Sequence, residues 1–375
     1  MFLLGWIAII YPRALISNVL PSVENEFKIT HTESALLMSS YLLSYAIIQL
    51  PSGSLGDKFG NKRLVIISMF GTAFGSILMS LAPTFPIAVI FRILAGFASG
   101  FFYATASNII VQNTDSSQQG QALGTSFTGV SIAYALISLT VSSLTVSNWR
   151  FFYLIGSILG LITIPLMYFF IKENRVSGKQ IENRSLSLKS ILHEARKKSL
   201  LLALVFNFIS SLSFFGLGFF IPTYFVLGRS LSVAEASSIM FIQALSSIGS
   251  GSVAGYLADR FGVRLPVIIS TLVMCIVVLL FPFIPLGLPM ILLLIIWGVM
   301  GGWSFISMSV LVVQVVSPNV RGTFLGLYNE VGFISATIGP IILGFIIDIS
   351  NFNMFFLGCL IFYIASLISI ILIKE

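Results

Sequence analysis

Charged residues are scarce in this chain: Asp, Glu, Lys and Arg make up 9% of 375 residues, where an ordinary globular domain carries about a quarter. That scarcity excludes a soluble fold of ordinary composition. Cysteine is nearly absent too. Cys275 and Cys359 both lie inside apolar runs, which fits small packing residues and excludes a disulfide framework. Catalytic signatures are missing. His193-Glu194 is followed by Arg196 and Lys197, not by the second histidine that a zinc-peptidase helix needs. Gly216-Leu-Gly218 lacks the third glycine of a dinucleotide loop, and no phosphate-binding P-loop occurs. The chain is read as no enzyme, with no cofactor and no metal site.

What the chain has is apolar length. Hydrophobic residues make up 57%, mean hydropathy is +1.03, and 31 glycines and 13 prolines are scattered through the apolar runs, as membrane helices tolerate. A spanning helix needs about 20 mostly apolar residues. Cutting at polar or Pro/Gly-rich breaks gives twelve candidates, near 2–20, 34–54, 62–82, 86–111, 119–143, 150–171, 200–224, 235–256, 264–284, 287–314, 322–346 and 353–373. The run that starts at Met1 has no basic segment before it and no small-residue cleavage site after it, so it reads as a retained helix. One connection is long, polar and basic, and it divides a first half, 1–171, from a second, 200–375. Within this linker, 172–199, the spacing of Leu188, Ile191, Leu192 and Ala195 predicts a short amphipathic helix on the inner membrane surface.

Orientation follows the basic residues. With the N-terminus inside, the inner loops hold fifteen Lys and Arg, eight of them between Lys172 and Lys198. The outer loops hold only Lys28, Arg150 and Arg229. Both termini and the linker are therefore expected in the cytoplasm, at the cell membrane. The formal charge of +7 is then mostly topological and implies no nucleic-acid partner.

The halves repeat. Gly53-Ser-Leu-Gly-Asp57-Lys-Phe-Gly60-Asn-Lys62-Arg63 returns as Gly255-Tyr-Leu-Ala-Asp259-Arg260-Phe-Gly262-Val-Arg264 at a fixed register. In that register Glu33 falls on Glu235, and the GxxxG pair Gly96 and Gly100, which lets helices approach closely, falls on Gly298 and Gly302. Shared glycine positions argue for one backbone used twice.

Three charges remain inside apolar runs: Arg13, Arg92 and Glu330. A mid-membrane charge costs about 2.5–3.5 kcal/mol on insertion scales, so each is a functional candidate. A guanidinium fork suits carboxylate or phosphate, and Arg13 is read as the group facing an anionic guest, against a snorkelling or fixed pair. Arg92 is read as binding substrate, assisting proton coupling or pairing internally. Glu330 is read as a proton carrier or as the partner of one arginine. Asn207 and Gln243 are weaker substrate candidates, since such amides also bridge helices.

Together, the twelve helices, basic linker and doubled turn resemble the major facilitator superfamily over the whole chain. Gly53 to Arg63 resembles that family's signature between helices 2 and 3, and Arg92 to Gly100 its helix 4 motif. Pro21 to Ile29, with Tyr45, Gln49 and Pro51, is most similar to the organic anion:cation symporters. That group usually has an aspartate before the helix 1 arginine; Pro12 stands there, which moves the expected proton coupling to Glu330. The resemblance implies two pseudo-symmetric six-helix bundles, all α, rocking about a central site as a monomer. It implies a secondary carrier for a small organic anion, driven by protons, with the lipid bilayer as its other partner. The doubled turn would gate it, Asp57 and Asp259 each latching onto a helix N-terminus of the opposite bundle. The alternative is a proton-driven drug or metabolite exporter. Helix 5 lacks the Gly-Pro pair of such exporters, although Gly339-Pro340 occurs in helix 11.

Overall fold

The computed structural model describes residues 1–115, 118–144, 148–171, 194–317 and 320–372, with the backbone alone at Phe305. Most of the linker, and so most of its expected surface helix, lies outside the described residues. Among the described residues all regular structure is helical: α1 (Phe2–Phe27), α2 (His31–Phe59), α3 (Asn61–Ser80), α4 (Phe85–Ser99), α5 (Phe102–Gln112), α6 (Gln119–Ser143), α7 (Trp149–Phe170), α8 (Lys198–Thr223) with a π-turn (Tyr224–Gly228), α9 (Val233–Ser247), α10 (Ser250–Phe261), α11 (Arg264–Leu280), α12 (Leu288–Met300), α13 (Trp303–Val315), α14 (Arg321–Ile349) and α15 (Phe352–Ile371).

Nine helical stretches among the described residues are long and apolar enough to cross a membrane, counting α4 with α5 as one. The remaining expected spans are not continuous long helices among the described residues. Gly249, at φ +80°, separates α9 from α10; only glycine adopts that backbone without strain. Gly301 and Gly302, both with right-handed backbone, stand between α12 and α13, and α11 is 17 residues long. Broad apolar faces lie bare, Phe70 and Phe74 on α3 and Ile158 and Ile162 on α7 being half exposed or more. Lipid covers such faces in a membrane protein.

The chain forms two compact units, Met1–Gly178 with Phe219–Ala244, and Lys179–Gly218 with Leu245–Glu375. In the first, α1 packs along α6 and α7, α3 along α7 and α4, and α2 along α4 and α5. Glycine makes the α2–α4 contact possible. A Cβ at Gly96 would stand 2.2 Å from both the Tyr41 carbonyl and Ser44 Oγ, and one at Gly100 would stand 2.7 Å from the Tyr45 carbonyl. Arg150 and Trp149 close one end of this unit. Trp149 Nε1 donates to Glu26 Oε2 at 2.6 Å, Arg150 pairs with Glu26 Oε1, and Arg150 Nη2 donates to the Ala82 carbonyl at 2.6 Å.

In the second unit α11 packs on α13 and α15, and α14 packs on α15. Gly302 differs from Gly100 in having open space where a Cβ would go, and Gly298 is buried. The approach to α8 is clasped to the α13–α14 connection: Lys197 Nζ donates to the Val315 carbonyl at 2.7 Å and pairs with Glu194 at 2.8 Å, while Ser317 N–H donates to Glu194 at 3.3 Å. The hydrogen bond from Lys197, helped by that from Ser317, holds the Glu194 carboxyl below the ordinary glutamate value.

Two outcomes follow from this packing. Gly96→Leu should separate α4 from α2 and lower the unfolding temperature in detergent by several degrees, overpacking of this kind costing about 1–3 kcal/mol. Gly120→Ala, where a Cβ meets open space, should leave it unchanged. Because Glu194 is more acidic folded than unfolded, the clasp contributes fully at neutral pH and is lost as pH falls through the lowered folded value. The acid-side drop in unfolding temperature should therefore be smaller in Glu194→Gln, as thermal scans from pH 7 to pH 3 would show.

Candidate functional site

Arg92, in α4, is almost wholly buried. Its Nε donates to the Leu37 carbonyl at 2.8 Å, Nη1 to the Pro12 carbonyl at 2.9 Å and Nη2 to the Arg13 carbonyl at 2.9 Å. The guanidinium also lies 4.5 Å from the centre of the Tyr41 ring. Carbonyl dipoles and a ring face thus surround a cation that the low-dielectric interior would otherwise reject. Of the three uses expected for Arg92, internal pairing is the one this geometry displays, with backbone carbonyls as the acceptors.

Arg13 occupies a different setting. Its backbone carbonyl is held by Arg92, and its own guanidinium lies 5.1 Å from the Tyr45 ring centre on α2. Tyr134, on α6, keeps 38% of its surface exposed. Two hydrogen bonds fix α1 against α6 on the far side of this level: Asn18 Nδ2 donates to Ser138 Oγ at 3.2 Å, and the Tyr11 and Thr140 hydroxyls are 2.7 Å apart. One turn beyond Tyr45, the side-chain oxygen of Gln49 is buried with no hydrogen-bond partner among the described residues. A cation over the Tyr45 ring and, one turn further along α2, an unpartnered buried acceptor thus mark this part of the first unit. Tyr134, Asn18 and Ser138 escaped sequence reasoning because one tyrosine or serine in an apolar run carries no signal by itself.

The remaining candidates belong to the second unit or to α9. Glu330, on α14, is buried and forms no hydrogen bond or ion pair within its unit among the described residues. Asn207 Nδ2 donates to the Tyr328 carbonyl at 2.6 Å, and Ser211 donates to its Oδ1 at 3.1 Å, so its amide bridges α8 to α14. Gln243 is half buried on α9. Gly339 lies against α8, where a Cβ would stand 2.4 Å from the Leu212 carbonyl; close packing accounts for the Gly-Pro pair in α14.

Both copies of the doubled turn bend alike. Gly60 and Gly262 adopt φ of +95° and +78°, the left-handed region that favours glycine. Their approaches differ: Gly53 and Gly255 leave room for a side chain, whereas a Cβ at Gly56 would stand 2.3 Å from Asn61 Oδ1. Asp57 and Asp259 are exposed. Lys62 Nζ lies 5.1 Å from the Tyr168 ring centre. Its repeat counterpart Arg264 donates to the Ile371 carbonyl at 3.0 Å, and Arg260 donates to the Tyr256 hydroxyl at 3.0 Å. Arg63 is exposed. The repeat reaches the helix caps as well. Thr30 and Glu33 exchange hydrogen bonds of 3.2 and 2.8 Å, and Ser232 and Glu235 exchange bonds of the same two lengths.

A family model described as Major Facilitator Superfamily matches residues 2–329 and 205–375. The chain belongs to that superfamily. It is 24% identical to the cis,cis-muconate transport protein of Acinetobacter baylyi, covering 100% of this chain and 94% of the relative. It is 25% identical to the gentisate transporter of Corynebacterium glutamicum, over 94% of this chain and 83% of the relative. It is 24% identical to the hexuronate transporter of Bacillus subtilis, over 90% and 84%. The fold matches the crystal structure of the nucleoside transporter NupG at a TM-score of 0.79 and 19% identity, covering 99% of this chain and 96% of the other. As a superfamily member the protein is a multi-pass, all-helical membrane protein.

Arg92→Lys keeps the charge and three donors, but a compact ammonium lacks the planar fork that spans carbonyls on both α1 and α2. We expect a loss on the order of 3 kcal/mol, read as a lower unfolding temperature in detergent, with α1 and α2 becoming more open to hydrogen exchange.

Proposed function

We propose that the protein is a secondary carrier for a small organic anion, working by alternating access with Arg13 as the group that receives the anion. The observation that carries this reading is the Arg13 level itself: a buried guanidinium in the middle of α1, lying over the Tyr45 ring of α2. A planar guanidinium fork matches a carboxylate better than any other side chain does. The relatives support the choice of guest, since muconate, gentisate and hexuronate are all carboxylates.

The rest of the reading extends from there. The broken pairs α9–α10 and α12–α13, with α11, bring the spans to twelve, in halves 1–171 and 200–375 joined by the cytoplasmic linker 172–199. The carrier is a monomer in the cell membrane with both termini inside, and it imports its solute with protons. Glu330 carries the proton, because a buried carboxyl without an ion-pair partner in its own unit can gain and lose one as its surroundings change. The doubled turns gate the inner side, and the exposure of Asp57 and Asp259 supports a latch that can engage and release. An exposed or half-buried latch of this type is worth about 0.3–2 kcal/mol, enough to bias two states of similar energy.

In proteoliposomes, Arg13→Ala should cut organic-anion uptake about a hundredfold or more with normal insertion and fold, and uptake restricted to neutral or cationic solutes would sink the reading. Glu330→Gln should preserve counterflow exchange of the anion while abolishing accumulation driven by an imposed pH gradient. Unchanged accumulation would remove Glu330 from the mechanism.

A further inference from the structure

The Arg13 level has a neighbour that the reading above does not use. Two turns back along α1 stands Trp6, and two turns back from Tyr134 along α6 stands Phe127. Residues seven apart share a face of a helix, about 10 Å apart along its axis. The Asn18–Ser138 hydrogen bond sets α1 and α6 side by side in this register, and the aromatic contacts confirm it. The Trp6 and Phe127 rings are 5.1 Å apart and tilted by 33°. Tyr103, from α5, completes the set at 5.7 Å from Phe127 and 6.0 Å from Trp6. Behind them the fully buried Phe102 backs Trp6 edge-on at 5.2 Å. Phe127 and Tyr103 are only partly covered. Helical side chains lean toward the N-terminus, so Arg13 and Tyr134 both lean toward this shelf.

We propose that the anion bound at Arg13 has a planar unsaturated body, an aromatic or conjugated carboxylate rather than a polyhydroxylated acid, and that Tyr103 and Phe127, backed by the buried Trp6, receive that body. The proposal rests on Arg13 as the carboxylate group and adds what lies beyond the carboxylate. Ring faces and edges reward a flat π-system in offset or edge-on contact. They offer a polyol almost nothing, because each hydroxyl that leaves water must find a partner, and of the three shelf residues Tyr103 supplies a hydroxyl and Trp6 one indole N–H. The site therefore separates two kinds of organic acid by what surrounds the carboxylate, the guanidinium being common to both.

The test uses the full chain, purified in detergent, with benzoate, muconate, glucuronate and succinate as probes in calorimetric binding. Benzoate and muconate should bind at least tenfold more tightly than glucuronate. Phe127→Leu, which keeps apolar bulk and removes the ring, should lower the ratio of benzoate to succinate affinity about tenfold. Tyr103→Leu serves the same purpose should the first variant fail to fold. Benzoate should also quench tryptophan fluorescence in the parent protein and do so far less in Trp6→Phe. Glucuronate binding most tightly of the four, with all binding lost in Arg13→Gln, would overturn the shelf and leave the carboxylate site standing. Benzoate binding that survives Arg13→Gln would instead bring down the carboxylate site. A Phe127→Leu protein that folds and keeps the parent ratio would also overturn the shelf.

Discussion

Three carbonyl groups converge on one guanidinium in this protein. Arg92 reaches from α4 to Leu37 on α2 and to Pro12 and Arg13 on α1. A buried cation without a carboxylate partner is tolerable only when dipoles replace its hydration, and here three carbonyls and the Tyr41 face do so. The consequence is positional. The backbone of Arg13 is gripped by Arg92, so the arginine proposed to meet the solute starts from a fixed point. Of the two buried arginines in this unit, Arg92 ties α4 to α1 and α2, and Arg13 lies against Tyr45.

The close seating of α4 on α2 serves the same end. Gly96 and Gly100 bring the helices so near that the Tyr41 and Tyr45 carbonyls occupy the space a Cβ would need. Arg92 lies one turn before Gly96 on the same helix, so this approach is what lets its head group span both α1 and α2. Tyr41 and Tyr45, one turn apart on α2, then present one ring to each arginine. Backbone proximity, cation placement and ring orientation are a single arrangement, and any longer side chain at Gly96 would disturb all three.

Duplication is the second organising constraint, and its geometry is uneven. The turn glycines Gly60 and Gly262 and the caps Thr30–Glu33 and Ser232–Glu235 keep matching backbone at matching positions. Side-chain roles have drifted between the copies. Arg264 donates to the last carbonyl of α15, that of Ile371, while Lys62 lies over the Tyr168 ring. Gly100 is pressed against a neighbouring backbone, while Gly302 faces open space. Backbone signals persist because a left-handed turn admits little but glycine; packing contacts change whenever either partner changes.

Several features were fixed by the chain's composition and order alone. Apolar length with few charges dictates membrane helices, since only helices or closed barrels satisfy backbone hydrogen bonds in lipid. The repeated turn announces two related halves, and three charges in apolar runs stand out because burying a charge is costly. Tertiary structure decided which contacts Arg92 makes. The sequence left Arg92 open among three uses, because a lone arginine in an apolar helix does not name its partner. Only packing shows that Arg92 is consumed by carbonyls on two other helices, that Asn207 bridges α8 to α14, and that Trp6, Tyr103 and Phe127 meet on one side of Arg13. The physical reason is the same in each case: helix periodicity fixes which face a residue lies on, but its partner comes from another helix a hundred residues away in sequence or at an angle set by glycine, and that pairing exists only once the helices have packed.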